Sequence, residues 1–277
     1  MFLYCYLLHC FNWCLLFSNY IIILKLGTTM HVANHMWPAT IHEHINVDCS
    51  KEMIDLCDLL LKDGNDNNVP IFNNVFYKQF LPVGRTTTYD LVVSAFSLKE
   101  LPNVDARIHV IENLWHKTED ILVFIEHGNQ AGTAAILEAR SFILKMNGYD
   151  PVAIYNPNEI EDENQLDKTT KNPNLHIMAP CPHHYCCPRL NREYGVFCNF
   201  NVNYFPFYYG QPKIPLEKER ISYVVFRKKP KIYKEFAEWP RVVEKPIKNS
   251  RNVNLKLCTP EGKIEILNVS KGNCFLF

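Results

Sequence analysis

A chain of 277 residues with 47% hydrophobic content can bury one sizeable core, or a core and a smaller satellite, and is too apolar to be intrinsically disordered. Its 29 basic and 29 acidic residues cancel to a formal charge of zero, which excludes choice of a partner by overall charge. The distribution is uneven, however: residues 211–256 hold 13 Lys/Arg against 5 Asp/Glu, and residues 159–167 hold 5 acids and no base, so a polyanion such as RNA suits the C-terminal part, a solvated Lys-rich face being the alternative.

Residues 1–24 contain no Lys, Arg, Asp or Glu and are long enough to span a bilayer. They read as a signal anchor, as an apolar leader ahead of a buried first strand (YIIIL, residues 20–24), or as sequence upstream of the true start. Only the first reading implies a membrane. A mitochondrial presequence is Arg- and Ser-rich and amphipathic, and this stretch is neither.

Beyond the leader, strand-like apolar runs alternate with helical patterns, the signature of an α/β fold with a mostly parallel sheet. A helix is expected over 30–36, closed by Pro38, then a short strand over 44–48 and a helix over 51–62 with Ser50 as N-cap. Residues 63–68 are turn-rich. Strands follow at 89–94 (YDLVVS) and 121–126 (ILVFIE), separated by a helix over 104–115, with another helix over 134–145. In a doubly wound sheet the ligand lies beyond the carboxyl ends of the strands. Gly27, in the turn after the first strand, and Asp48, at the end of the second, are therefore candidate nucleoside-binding residues, one for close backbone approach and the other for ribose hydroxyls. A nucleotide turn uses two or three glycines and this one has a single glycine, so a structural turn with Asp48 capping the next helix competes.

Other titratable pairs have blander readings. His42 and His44 could chelate a metal from one strand face but read better as a solvated strand start. His127 ends a strand near the expected crevice and reads as a solvent-facing loop residue.

Eleven cysteines, an odd number in uneven clusters, fit metal ligation in a reducing compartment better than a disulfide framework. The densest stretch is CPHHYCCPRLNREYGVFCNF, residues 181–200. Tetrahedral zinc accepts four Cys or three Cys and one His, with His183 or His184 available. An iron–sulfur cluster takes four thiolates, and spacing alone does not separate the two. On the residues by themselves zinc is preferred. Downstream, Arg227, Lys228, Lys229 and Lys231, with Tyr204, Tyr208, Tyr209, Tyr233 and Trp239 in the same region, combine phosphate-neutralising cations with rings that could stack on bases. Rings at such positions more often fill a core.

Several motifs occur in an order that identifies a family. The run SAFSLKELPNVDARIHVIENLWHKTEDILVFIEHGNQAGTAAILEARSFIL, the Cys181-Pro182-His183 and Cys187-Pro188 steps, Cys198 within FCNF, the strand ERISYVVFRK and the segment LCTPEGK around Cys258 together resemble the mitochondrial small-ribosomal-subunit assembly family of methyltransferase-like protein 17 and its yeast relatives. The resemblance runs from about residue 27 to residue 272, with His184 where the family has Asp and His127 where it usually has Pro. Relative to the family the chain is expected to be shortened at both ends.

The resemblance implies a Rossmann-like class I S-adenosylmethionine-dependent methyltransferase fold over residues 27–150, preceded by the leader 1–26. A polar, acidic linker over 151–170 would join it to a smaller β-rich metal-binding module over 171–277. It implies a 4Fe-4S cluster on Cys181, Cys187, Cys198 and Cys258, with Cys186 a bystander or replacement ligand. It also implies S-adenosylmethionine as a structural or sensing ligand, small-subunit rRNA and ribosomal proteins as partners, and the mitochondrial matrix as location. The function expected is assembly of the mitochondrial small ribosomal subunit in support of translation, with catalysis not required. Two alternatives stay open: an S-adenosylmethionine-dependent rRNA methyltransferase, against which stands the absence of an Asn-Pro-Pro-Tyr-type motif where Ser94-Ala95-Phe96-Ser97 follows the fourth strand, and a zinc-stabilised RNA-binding module with a degenerate cofactor pocket.

Overall fold

A computed structural model of the chain describes residues 20–24, 28–38, 40–82, 87–151, 172–190, 197–205, 216–230 and 239–270. Residues 1–19, Gly27, Lys231, most of the expected linker and Tyr208, Tyr209 and Tyr233 lie outside the described residues. The chain divides into two compact units, one formed by Met1–His127 with Asn201–Ile221, the other by Gly128–Phe200 with Ser222–Phe277.

In the first unit the strands are β1 (Tyr20–Leu24), β2 (Glu43–Val47), β3 (Val75–Lys78), β4 (Tyr89–Ala95) and β5 (Thr118–His127), side by side in the order β3-β2-β1-β4-β5. All four pairings in that row are parallel. Helices α1 (Thr28–Met36), α2 (Lys51–Leu61) and α3 (Val104–Lys117) make the crossovers. The order reverses direction between β1 and β4, the switch point of a doubly wound Rossmann-type sheet. Continuous apolar runs in β4 and β5 follow from burial of both sheet faces, and Leu91, Val92, Leu122 and Phe124 are fully buried. Ile111 and Leu114 of α3 are buried as well.

Side-chain caps start the helices where the sequence supplies them. Ser50 accepts the Met53 amide at 3.2 Å before α2, and Asn103 accepts the Ala106 amide at 2.8 Å before α3. Each such cap satisfies one of the unpartnered first-turn amides and contributes about 1 kcal/mol. β3 has no counterpart in the expected elements: four residues with alternating exposure on a sheet edge carry a weak periodic signal.

In the second unit, α4 (Gln130–Met146) starts four residues earlier than the expected 134–145, because Asn129 accepts the Gly132 amide at 2.9 Å. Its buried stripe includes Ile136, Ala139, Arg140, Ile143 and Leu144. β6 (His176–Ala179) pairs antiparallel with the end of β8 (Glu217–Arg227), at Val225, Phe226 and Arg227. The start of β8 belongs to the first unit and pairs with β7 (Phe200–Tyr204). A separate sheet places β11 (Asn252–Cys258) between β12 (Ile264–Ser270) on one side and β9 (Arg241–Val242) and β10 (Ile247–Lys248) on the other, all antiparallel.

Candidate functional site

The carboxyl edge of the parallel sheet in the first unit holds Asp48, just past β2, and Ser94 near the end of β4. Asp48 is half-buried, and its Oδ1 accepts the Ser50 amide at 2.9 Å. This bond holds the turn before α2, whose cap is Ser50 and not Asp48, and it leaves the second carboxylate oxygen outside. Ser94 and Ser97 hydroxyls lie 2.7 Å apart. Between them, Phe96 adopts a φ of 54°, a left-handed conformation that is strained for a bulky residue. Its ring packs on His127 with 4.6 Å between centroids. Glu126 is buried, and its Oε1 accepts the amides of Leu98 and Lys99 at 2.8 and 3.3 Å. It thereby pins the β4 loop, while burial raises its pKa against those hydrogen bonds.

Of the two histidine expectations, that for His44 changes in three dimensions, whereas His127 is exposed at the end of β5 as the sequence suggested. His44 is no solvated strand start: it is buried, 2.7 Å from Asn34 through Nε2, and burial, then His31, lowers its pKa to about 4. His127 is half-exposed and 3.3 Å from Glu219.

The second unit gathers the cysteines. Cys181 and Cys187 lie on the loop after β6, Cys198 precedes β7, and Cys258 ends β11, where it pairs with Arg241 and Ile264. The loop and α4 are fastened by the buried Arg140 guanidinium, whose Nη2 donates to the carbonyls of His183 and Tyr185, both at 2.9 Å. Cys198 is held through its own carbonyl, which accepts the Ser222 hydroxyl at 3.0 Å, and Ser222 in turn is 2.7 Å from Thr133 of α4. Cys181, Cys187 and Cys198 line one cavity with Ile136, Leu137 and Arg140. Cys258 Sγ is 3.3 Å from His183 Nε2.

The thiols sense one another. Burial pushes Cys198 up to about 12, and the charges of Cys181 and Cys187 push the same way, with Arg189 opposing. Cys258 is raised by burial and then by Cys181, Cys187 and Cys198, against Arg140. Cys187 is raised by burial and by Cys181. Three thiols that are costly to ionise unless a cation shares them, Cys187, Cys198 and Cys258, with Cys181 beside them, fit thiolate ligation of a metal, which releases protons on binding. Among the described residues no three His, Cys, Asp or Glu side chains form a group able to hold a metal ion as they stand. Cys186, half-buried, points its sulfur toward the Cys187 carbonyl at 3.9 Å.

Arg140 and Arg189 are the polar residues around the thiols that motif reading missed, whereas His183 is one of the two histidines the sequence offers as a ligand. Arg140 had a signal, since it lies on the apolar stripe of α4, where a cation is buried or misplaced. The basic run needs correction at one position. Arg227 is 6% exposed because it forms the last rung of the β6 pairing, whereas Lys228 is half-buried and Lys229 exposed. The aromatic residues divide: Tyr204 donates to Glu217 at 2.9 Å, and Trp239 is largely exposed.

Comparison with known proteins gives the family. The family model described as mitochondrial small ribosomal subunit Rsm22 matches residues 20–277. The human protein "Ribosome assembly protein METTL17, mitochondrial" is 34% identical over 239 residues, 86% of this chain and 47% of its own length. A fission yeast protein, "Rsm22-cox11 tandem protein 2, mitochondrial", is 26% identical over 218 residues, 66% of this chain and 26% of its own. The chain thus spans half or less of the curated relatives it matches. Among solved structures, the N-methyltransferase NodS from Bradyrhizobium japonicum in complex with S-adenosyl-L-homocysteine is similar at a TM-score of 0.41 and 10% identity, over 76% of this chain and 79% of that one. By the extent of the family match and the identity to the human relative, the chain belongs to the mitochondrial small ribosomal subunit Rsm22 family.

Proposed function

We propose that the chain is part of a mitochondrial assembly factor for the small ribosomal subunit that binds rRNA and carries a 4Fe-4S cluster on Cys181, Cys187, Cys198 and Cys258. The observation that carries the reading is that Cys181, Cys187 and Cys198 line one cavity and Cys258, remote from them in sequence, lies 3.3 Å from His183 of the same loop. The resemblance of the two Cys-Pro steps, FCNF and LCTPEGK to the family favours four cluster thiolates over zinc. When bound, the cluster supplies a covalent tie among distant chain positions and a site that can hold an electron. Arg140, Thr133 and Ser222 hold the ligand loops in place, and the apolar wall of Ile136 and Leu137 keeps water away.

Membership of the family and the relatives' names support ribosome assembly and a mitochondrial location, with the matrix as the compartment where rRNA would be met. The eight-charge excess over residues 211–256, 13 basic less 5 acidic, supports RNA contact through Lys228, Lys229 and Lys231, with Arg227 acting from its buried place as a strand anchor. S-adenosylmethionine is the proposed ligand of the sheet edge. Asp48 would accept its ribose hydroxyls and Gly27 would allow backbone approach. The reading requires no methyl transfer.

The test is sedimentation of the tagged chain from mitochondrial lysate with ultraviolet cross-linking. Wild type is expected to migrate with small-subunit precursors and cross-link to their rRNA, and Lys228→Glu with Lys229→Glu to lose most of the cross-link. Migration free of ribosomal particles, or cross-links indifferent to those charges, contradicts the proposal.

A further inference from the structure

The second unit buries two guanidinium groups beside the cysteines and gives them too little negative charge. Arg140 is 2% exposed and Arg189 5%. Burying a cation without a counter-ion is costly, and proteins avoid it unless a partner is supplied. Arg189 has such a partner in Glu244, whose carboxylate also takes Lys256 at 2.9 Å. For Arg140 no carboxylate lies within ion-pair distance among the described residues; its Nη2 is held by two carbonyls. The Nε of each guanidinium is buried with no hydrogen-bond partner. Arg140 shares the cavity wall with Cys181, Cys187 and Cys198.

From this imbalance we infer that Arg140 and Arg189 are the counter-charges of an anionic metal–thiolate centre on Cys181, Cys187, Cys198 and Cys258, and that they set how readily that centre takes up an electron. The inference rests on the cluster reading of the preceding subsection. An oxidised 4Fe-4S cluster on four thiolates retains about two negative charges, and its potential is set by net charge, hydrogen bonds to sulfur and burial. Two buried guanidiniums match that charge. Glu244 partly cancels Arg189, so Arg140 is the stronger positioning residue. Reduction adds a further negative charge, which a nearby cation stabilises, so loss of the Arg140 charge makes reduction harder and loss of the Glu244 charge makes it easier.

The experiment is a dithionite titration, followed by electron paramagnetic resonance, of the full chain reconstituted with ferrous iron and sulfide. Wild type, Arg140→Gln, Arg140→Lys and Glu244→Gln are compared. Arg140→Gln is expected to shift the reduction equilibrium about tenfold toward the oxidised form, about 59 mV to the negative for one electron. Arg140→Lys is expected to stay near wild type, and Glu244→Gln to move the other way. A fully loaded Arg140→Gln chain with the wild-type potential overturns the inference and leaves the cluster standing. If Arg140→Gln does not fold, Glu244→Gln decides from its half-exposed site: a positive shift supports the inference and an unchanged potential overturns it. Wild-type protein that takes up no iron and sulfide overturns the cluster reading itself and this inference with it, an outcome recognisable before any variant is made.

Discussion

The two units are built on different kinds of information. In the first, strands and helices alternate along the chain and each parallel pairing joins elements separated by one crossover or sits at the switch point, so local apolar runs predict the order. In the second, the thiols come from a loop, from the residues before β7 and from the end of β11, brought together by Arg140, Ser222 and the antiparallel sheet. The difference teaches that a core can be read from periodicity, whereas a convergent site must be read from chemistry. Four cysteines suggest ligation, but their companions are ordinary residues in ordinary elements.

Disruption of one unit should separate the two. Phe124→Ala, at the fully buried centre of β5, is expected to cost about 3–5 kcal/mol by chemical denaturation, with the metal content of the second unit retained. Equal loss from both units would mean that they melt as one.

A pH titration sharpens the contrast. With a folded pKa of about 4 against the ordinary histidine value of 6.5, His44 stays neutral in the native chain after the unfolded chain has begun to bind a proton. Stability is then full above about pH 6.5 and falls as pH drops toward 4, by up to about 3 kcal/mol. His31, also lowered by burial, adds to the same slope. His44→Gln should flatten most of the slope, and a variant with undiminished pH dependence contradicts the assignment.

Smaller effects distinguish loop placement from helix stability. Gly262 has a φ of +73° in the β11–β12 turn, and a Cβ there would lie 3.1 Å from Tyr185 Cβ. Gly262→Ala is expected to cost about 1–2 kcal/mol and to accelerate loss of metal, because Tyr185 belongs to the loop of Cys181 and Cys187. Ser50→Ala removes the α2 cap, should cost about 1 kcal/mol and should leave metal retention unchanged, as hydrogen exchange with metal analysis would show.

Much of the first unit was legible. The runs at 20–24, 89–94 and 121–126 became β1, β4 and β5, and Ser50 capped α2 without the usual acidic partner. β3 was hidden because a short edge strand exposes alternate side chains and needs no long apolar run. His44 was misread because strand burial is decided by what packs on it, here Asn34 and the α1 layer, and not by its polarity. Arg227 was misread for the same reason: in a Lys-rich string, only its pairing partner His176 shows that it is inside. At the cysteine site the candidate ligands were visible by type and order, while Arg189 was invisible because its partners, Val243 and Glu244, lie more than fifty residues away.

The central claim is that four cysteines share one cluster, and the direct measurement is iron and acid-labile sulfide per chain, with an absorption spectrum, on protein purified without oxygen, for wild type and Cys258→Ser. The account predicts about four irons and four sulfides in wild type and loss of both in the variant, because Cys258 is the ligand furthest from the others in sequence. One zinc without sulfide, or iron and sulfide indifferent to Cys258→Ser, would contradict it.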